Sequence, residues 1–145
     1  MAKAKNMSRF KNKLPMDFIP DKTICIQIRT RLNSGKLPCA TAFRLAEELG
    51  INENELGYYA DHLDIRLEKC QIGLFGHDKN TKLIKHLDVL DNALEQAVLT
   101  AATNGVIRCE QVFDMAKRFG LSLVMVGSAC ETLGIKIKHC RFGAF

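Results

Sequence analysis

Residues 39–68 read CATAFRLAEELGINENELGYYADHLDIRLE. Phe43, Leu45, Ala46 and Leu49 recur at helical spacing and predict a helix over 40–49. Gly50 can adopt the left-handed conformation that ends a helix. Ile51 follows, then Asn52, whose side chain can cap a new helix, with Glu55 at capping-box distance. Leu56, Tyr59, Ala60 and Leu63 fall on one side of that helix, predicted over 53–63. Ile65-Arg66-Leu67-Glu68 then alternates as a half-buried strand does.

The same order returns 70 residues later. Residues 109–138 read CEQVFDMAKRFGLSLVMVGSACETLGIKIK, giving a helix over 110–119 with Phe113, Met115, Ala116 and Phe119 as core positions. Gly120, Leu121 and the cap Ser122 follow, then a helix over 123–133 and a strand from Ile135 to Lys138. Extended outward, the match runs without a gap from 23–75 to 93–145, and 12 of 53 aligned positions are identical. Chance would give about three or four at average composition. Cys39 and Cys70 recur as Cys109 and Cys140, and Gly35, Gly50, Gly57 and Gly73 as Gly105, Gly120, Gly127 and Gly143. Gly57 and Gly127 lie inside their helices, where glycine costs about 1 kcal/mol relative to alanine. Their recurrence predicts a close approach there by the preceding helix.

Upstream, Ile24, Ile28 and Leu32 mark a first helix over 23–33, broken by Gly35. Its counterpart starts near Val89–Asp91 and is expected to end at Asn104-Gly105. A short extended piece comes next, and Pro38 confines it to an edge. Gly73 and Gly143 mark a turn after the last strand, and Phe75 and Phe145 are expected to return an aromatic to the core. The organisation is therefore a basic, flexible tail over 1–20, a first unit over 21–75, a linker and helix start over 76–92, and a second unit over 93–145. Such a duplication also arises by fusion of an ancestral homodimer.

Helix, glycine turn, apolar residue and capped helix form the helix-turn-helix order. With the following strand, the order resembles the winged-helix branch of helix-turn-helix domains, twice over and across nearly the whole chain. The resemblance implies a mainly α chain with small β elements (α+β), as tandem winged helix-turn-helix-like units. It also implies double-stranded DNA as partner, with the third helix of a unit in the major groove. On that basis the first copy presents Asn52, Asn54, Tyr58 and His62, and the second presents Ser122 and Ser128, beside the apolar Leu123, Val124 and Met125. Glu53, Glu55, Asp61 and Asp64 make the first of these helices acidic.

The formal charge is +5. Lys3, Lys5, Arg9, Lys11 and Lys13 carry five positive charges with no acid among 1–13, and the remaining 16 basic residues face 16 acidic ones. The tail reads either as a solubilising segment or as an arm on phosphates. Within the repeat, Lys136, Lys138, His139 and Arg141 cluster around the second strand, with Arg66 and Lys69 as a thinner version in the first copy. They read as phosphate contacts or as charges guarding a strand edge. The sequence thus predicts a DNA-binding regulator or accessory factor. A non-catalytic interaction or assembly module, partnering a homodimer mate or another protein, is the alternative.

Three readings fit the repeated cysteines. Cys39 with Cys70 and Cys109 with Cys140 are expected to be neighbours, and the four can fill tight corners, hold a metal or form a reversible disulfide. His62, His77, His86 and His139 do not recur as a set. No phosphate-binding glycine loop, H-E-x-x-H or serine elbow is present, so no enzyme and no cofactor are expected. No apolar run reaches the roughly 18 residues of a membrane span, and no apolar stretch follows the basic start, so the cytoplasm is the expected location.

Overall fold

Side-chain caps start most of the helices. Asp21 Oδ1 accepts from the N–H groups of Thr23 at 2.7 Å and Ile24 at 3.3 Å, and α1 spans Lys22–Arg29. Its counterpart Asp91 accepts from Leu94 N–H at 3.1 Å. The repeat therefore extends two residues further upstream than position 23. The computed structural model describes residues 14–78 and 81–144, so the basic charges of 1–13 and the aromatic at Phe145 lie outside the described residues.

Among the described residues the fold is mixed α and β, with six helices and four short strands. After α1 come β1 (Leu37–Pro38), α2 (Cys39–Leu49), α3 (Glu53–His62) and β2 (Leu67–Glu68). The second copy gives α4 (Asn92–Ala101), β3 (Val106–Arg108), α5 (Cys109–Phe119), α6 (Leu123–Thr132) and β4 (Lys136–Lys138). Each copy forms a two-stranded parallel ladder, with Leu37 opposite Leu67 and Ile107 opposite Ile137. Leu37 and Ile107 are fully buried, while Lys136 and Lys138 on the other face of β4 are exposed.

Two turn readings change. Helix α4 ends at Ala101, not at Asn104-Gly105. Asn104 (φ 52°) and Gly105 (φ 75°) are instead the centre of a tight turn, closed by Thr103 N–H to Val106 O at 2.8 Å and the reverse bond at 3.0 Å. Two consecutive positive φ values define the turn that matches strand twist. Ser34 and Gly35 do the same in the first copy, so α1 also stops short of its predicted end. Helices α2 and α5 do end at Gly50 and Gly120, at φ 68° and 66°. Helices α3 and α6 end two residues before the left-handed Asp64 and Gly134, where Ile65 N–H reaches Ala60 O at 2.8 Å and Ile135 N–H reaches Cys130 O at 2.9 Å. Gln111 ties α5 to the end of α4: its Oε1 accepts from Arg108 N–H at 2.9 Å and its Nε2 donates to Ala101 O at 3.2 Å.

The chain folds as two compact units. Unit 1 takes the described residues up to Glu68 together with Arg141–Ala144, and unit 2 takes Lys69–Cys140. The piece that closes each repeat in sequence thus joins the unit built on the other copy. In unit 1, Ile28, Leu37, Ala42, Leu45, Leu56 and Phe142 are buried. In unit 2, Ile72 and Ile84 join Leu94, Val98, Ile107, Val112 and Val126 in one apolar core. A fully buried aliphatic side chain contributes about 1.5–3 kcal/mol. The 76–92 stretch is laced to unit 2 by Leu83 N–H to Gly73 O (2.8 Å), Lys85 N–H to Ser128 Oγ (3.0 Å) and Leu87 N–H to Thr132 Oγ1 (2.8 Å).

This arrangement explains the helical glycines, and the neighbour is not the preceding helix. A Cβ on Gly57 would overlap the carbonyl oxygen of Phe142 and lie 2.8 Å from its carbonyl carbon. A Cβ on Gly127 would lie 2.7 Å from Ile72 Cγ2 and 2.8 Å from Ile84 Cγ2. Backbone cannot yield as methyl groups do. Alanine gains about 1 kcal/mol of helix propensity over glycine, and overpacking costs about 1–3 kcal/mol. The Ile methyls are branch carbons of stiff, buried side chains and Ile72 O lies 3.3 Å away, so in urea unfolding G127A is expected to lose about 1 kcal/mol and G57A about 2–3 kcal/mol. Equal effects would count against this packing.

Candidate nucleic-acid interface

The turns between α2 and α3 and between α5 and α6 are each set by a glycine. At the α2–α3 turn, Gly50 N–H bonds Glu47 O at 3.2 Å and Ile51 N–H bonds Ala46 O at 3.1 Å. The α5–α6 turn repeats this with Gly120 to Lys117 O at 3.4 Å and Leu121 to Ala116 O at 2.9 Å. Asn52 then spends its side chain on the cap, its Oδ1 accepting from Glu55 N–H at 2.8 Å. Ser122 Oγ accepts likewise from Met125 N–H at 3.1 Å. Both residues are exposed, but their acceptors are engaged.

Of the other candidates on α3, Asn54 is exposed, and Tyr58 and His62 are half-buried. Phe18 lies edge-on to Tyr58 and His62 at 6.0 Å from each, and to Tyr59 at 5.1 Å. The Tyr59 hydroxyl accepts from Asp21 N–H at 2.9 Å, fixing this lead-in segment on the helix. Phe18 is the residue the sequence reading missed. Its signal in the sequence is a lone aromatic between Pro15 and Pro20. On α6, Ser128 is a correction: it is 4% exposed and accepts from Lys85 N–H, so it holds the linker rather than facing solvent. Leu123 and Val124 are half-buried, whereas Leu121 and Met125 are exposed.

The basic candidates divide. Arg141 belongs to unit 1, where it pairs with Glu53 and sits 5.1 Å over the Phe43 ring. It is thus held in the packing of α2 and α3. Lys136 and Lys138 share the exposed face of β4. The parallel register sets Arg108 of β3 opposite Lys138, a basic neighbour that sequence spacing alone did not reveal. Like charges directly opposite on a ladder repel, and Arg108 is offset only by Glu110 at 3.2 Å, both side chains more than half exposed. A cleft of about 330 Å³ beside β4 has Lys82, Glu131 and Lys136 among its lining residues. His139 follows on the surface at φ 59°.

The first copy lacks this concentration. Where the second has Arg108 opposite Lys138, the first has Pro38 opposite Glu68, and Glu68 accepts from Asn33 Nδ2 at 2.9 Å. Arg66 and Lys69 are exposed, but Lys69 belongs to unit 2. Among the described residues, unit 1 carries seven basic and nine acidic side chains, and unit 2 eight and seven.

Cys70 shares the buried core of unit 2 with Cys109 and Cys130, while Cys39 is buried in unit 1 and Cys140 is half-buried. None of the six described cysteines is in a disulfide, and among the described residues no group of three or more His, Cys, Asp or Glu is placed to hold a metal. Burial pushes the Cys130 thiol up from 9.0 to about 11. Burial also raises Cys25, partly opposed by Arg29. No helix among the described residues is long and apolar enough to cross a membrane. Comparison of the chain with known protein families, with curated proteins and with solved structures gave no match.

Cys130 gives a pH prediction. Its folded form keeps the proton while an unfolded thiol loses it near 9, so this contribution to stability is intact below pH 9 and is lost as pH rises toward 11. The C130A variant should show a flatter decline in urea midpoint between pH 9 and 11 than the parent. In the native parent at pH 8, a thiol-reactive dye should leave Cys130 unlabelled after Cys25 has reacted, read by peptide mass spectrometry.

Proposed function

We propose that the protein is a DNA-binding regulator or accessory factor that grips duplex phosphates through its second helix-turn-helix copy. The observation that carries this reading is the exposed basic face of the β3–β4 ladder, where Arg108, Lys136 and Lys138 lie together. Three cations on one side of a two-stranded ladder repel one another, and an anionic backbone relieves that repulsion. Lys82 lines the same cleft as Lys136, together with Glu131. Helix α6 follows the glycine turn as a recognition helix does, although its exposed start offers Leu121 and Met125 rather than base-reading polar groups. The reading is therefore one of phosphate grip with modest sequence preference, with the basic residues of 1–13 as a second arm.

In this reading the first copy is a support. Its third helix carries acids that repel phosphate, and its candidates Asn52, Tyr58 and His62 are committed to a cap or to packing against Phe18. The second reading, a protein-interaction module, is favoured by the exposure of Leu121 and Met125, at 36% and 42%, at the turn and start of α6.

The deciding experiment measures duplex affinity against salt for the full chain, for K136E/K138E and for a chain lacking 1–13. Each lost phosphate contact lowers the salt slope by about 0.9. K136E/K138E should therefore lower it by about 2, with binding weakened on all sequences. An unchanged slope in K136E/K138E, with all binding lost when 1–13 is removed, would reject the ladder as the grip. Intact DNA affinity in L121S/M125S, together with loss of a protein partner, would favour the second reading.

A further inference from the structure

We propose that the α2–α3 groove of unit 1 is a docking site for the segment Arg141–Ala144, and that a second copy of this chain fills it in trans to give a segment-exchanged dimer. The groove is built for this segment. Phe142 is 4% exposed and meets Phe43 edge-on at 4.7 Å between ring centres. Arg141 reaches Glu53 and lies over the same Phe43 ring. Gly57 admits the Phe142 backbone where any larger residue would collide with it. One ion pair, one aromatic pair and one glycine thus recognise an Arg-aromatic-Gly sequence.

Two further observations point to a second copy as the occupant. The segment leaves the repeat it belongs to: β4 is in unit 2, and three residues after its end Arg141 is in unit 1. The intervening hinge is His139-Cys140, and His139 is a non-glycine residue at φ 59°, as its counterpart Lys69 is at φ 49°, a conformation that costs energy in both hinges, so what separates the two segments is how each is held beyond the hinge. Short, strained hinges favour exchange of identical elements between molecules. The counterpart segment Cys70-Gln71-Ile72-Gly73 is differently placed. It lies in unit 2 with the chain that continues through Ile84, against Gly127, and is fixed by the backbone bonds of 69–83. The exchangeable contact is therefore the one at Gly57.

Charge-swap complementation of full-length chains tests this. In R141E alone the segment meets Glu53 with like charge, and in E53R alone the groove meets Arg141 with like charge. Mixed, the two chains regain opposite charges at both grooves only by exchanging segments. The equimolar mixture is expected to form a 1:1 dimer by light scattering, with a dissociation constant at least about ten-fold lower than for self-association of either variant. The doubly substituted E53R/R141E chain, which restores the pair within one molecule, should self-associate as the parent does. Circular dichroism of each chain guards against misfolding, and singles that are unfolded alone but fold as a mixed dimer support the proposal equally. A mixture with no heterodimer, while the double variant is folded, would overturn it.

Discussion

The packing of each third helix rests on a missing side chain. Gly57 and Gly127 let a chain segment lie against α3 and α6 at a distance no Cβ permits. The helices accept a propensity cost of about 1 kcal/mol for this. In return Phe142 and Ile72, at 4% and 0% exposure, become core residues of their units. Without that contact the third helix of each unit would expose an apolar side, since each ladder has only two strands and covers little surface. The glycines also explain why the copies remain in register: insertion of one residue between helix and closing segment would misplace the aromatic or aliphatic plug.

With the core shared, the surfaces have been free to diverge. The first copy neutralises its ladder with Glu68 and Asn33, and the second collects Arg108 and Lys138 at the equivalent register. The first copy's third helix is acidic and covered by Phe18, whereas the second has an apolar start. One scaffold thus carries two different faces. This favours an asymmetric division of labour over two equivalent reading heads, and it is why the phosphate grip is assigned to one copy.

Much of the local structure was legible in the sequence, because its causes are local. Gly50 and Gly120, Asn52 and Ser122, and the helical spacing around Leu45 and Met115 act within a few residues, and α2, α3, α5 and α6 fall within a residue of their expected bounds. Asn104-Gly105 was ambiguous because the same dipeptide serves a helix end and a tight turn, and only the pairing of Thr103 with Val106 decides. What the sequence did not yield was long-range. The partner of Gly57 lies 85 positions away at Phe142, and the cation beside Lys138 comes from the parallel register with Arg108. Ser128 looked available because its burial depends on a linker whose course no periodicity encodes.

The division of residues between units also bears on how the chain is made. Among the described residues, unit 2 draws on Lys69–Cys140, whereas unit 1 is begun before Glu68 and completed by Arg141–Ala144. During synthesis at about 5–20 residues per second, the groove at Gly57 stays open for roughly 4–15 s after Glu68 has been added. Over that interval the nascent first unit presents Phe43 and the bare face of α3 to its surroundings. Of the two units, the one translated earlier is therefore finished later, and neighbouring ribosomes on one message hold such unfinished grooves close to completed segments from the chain ahead.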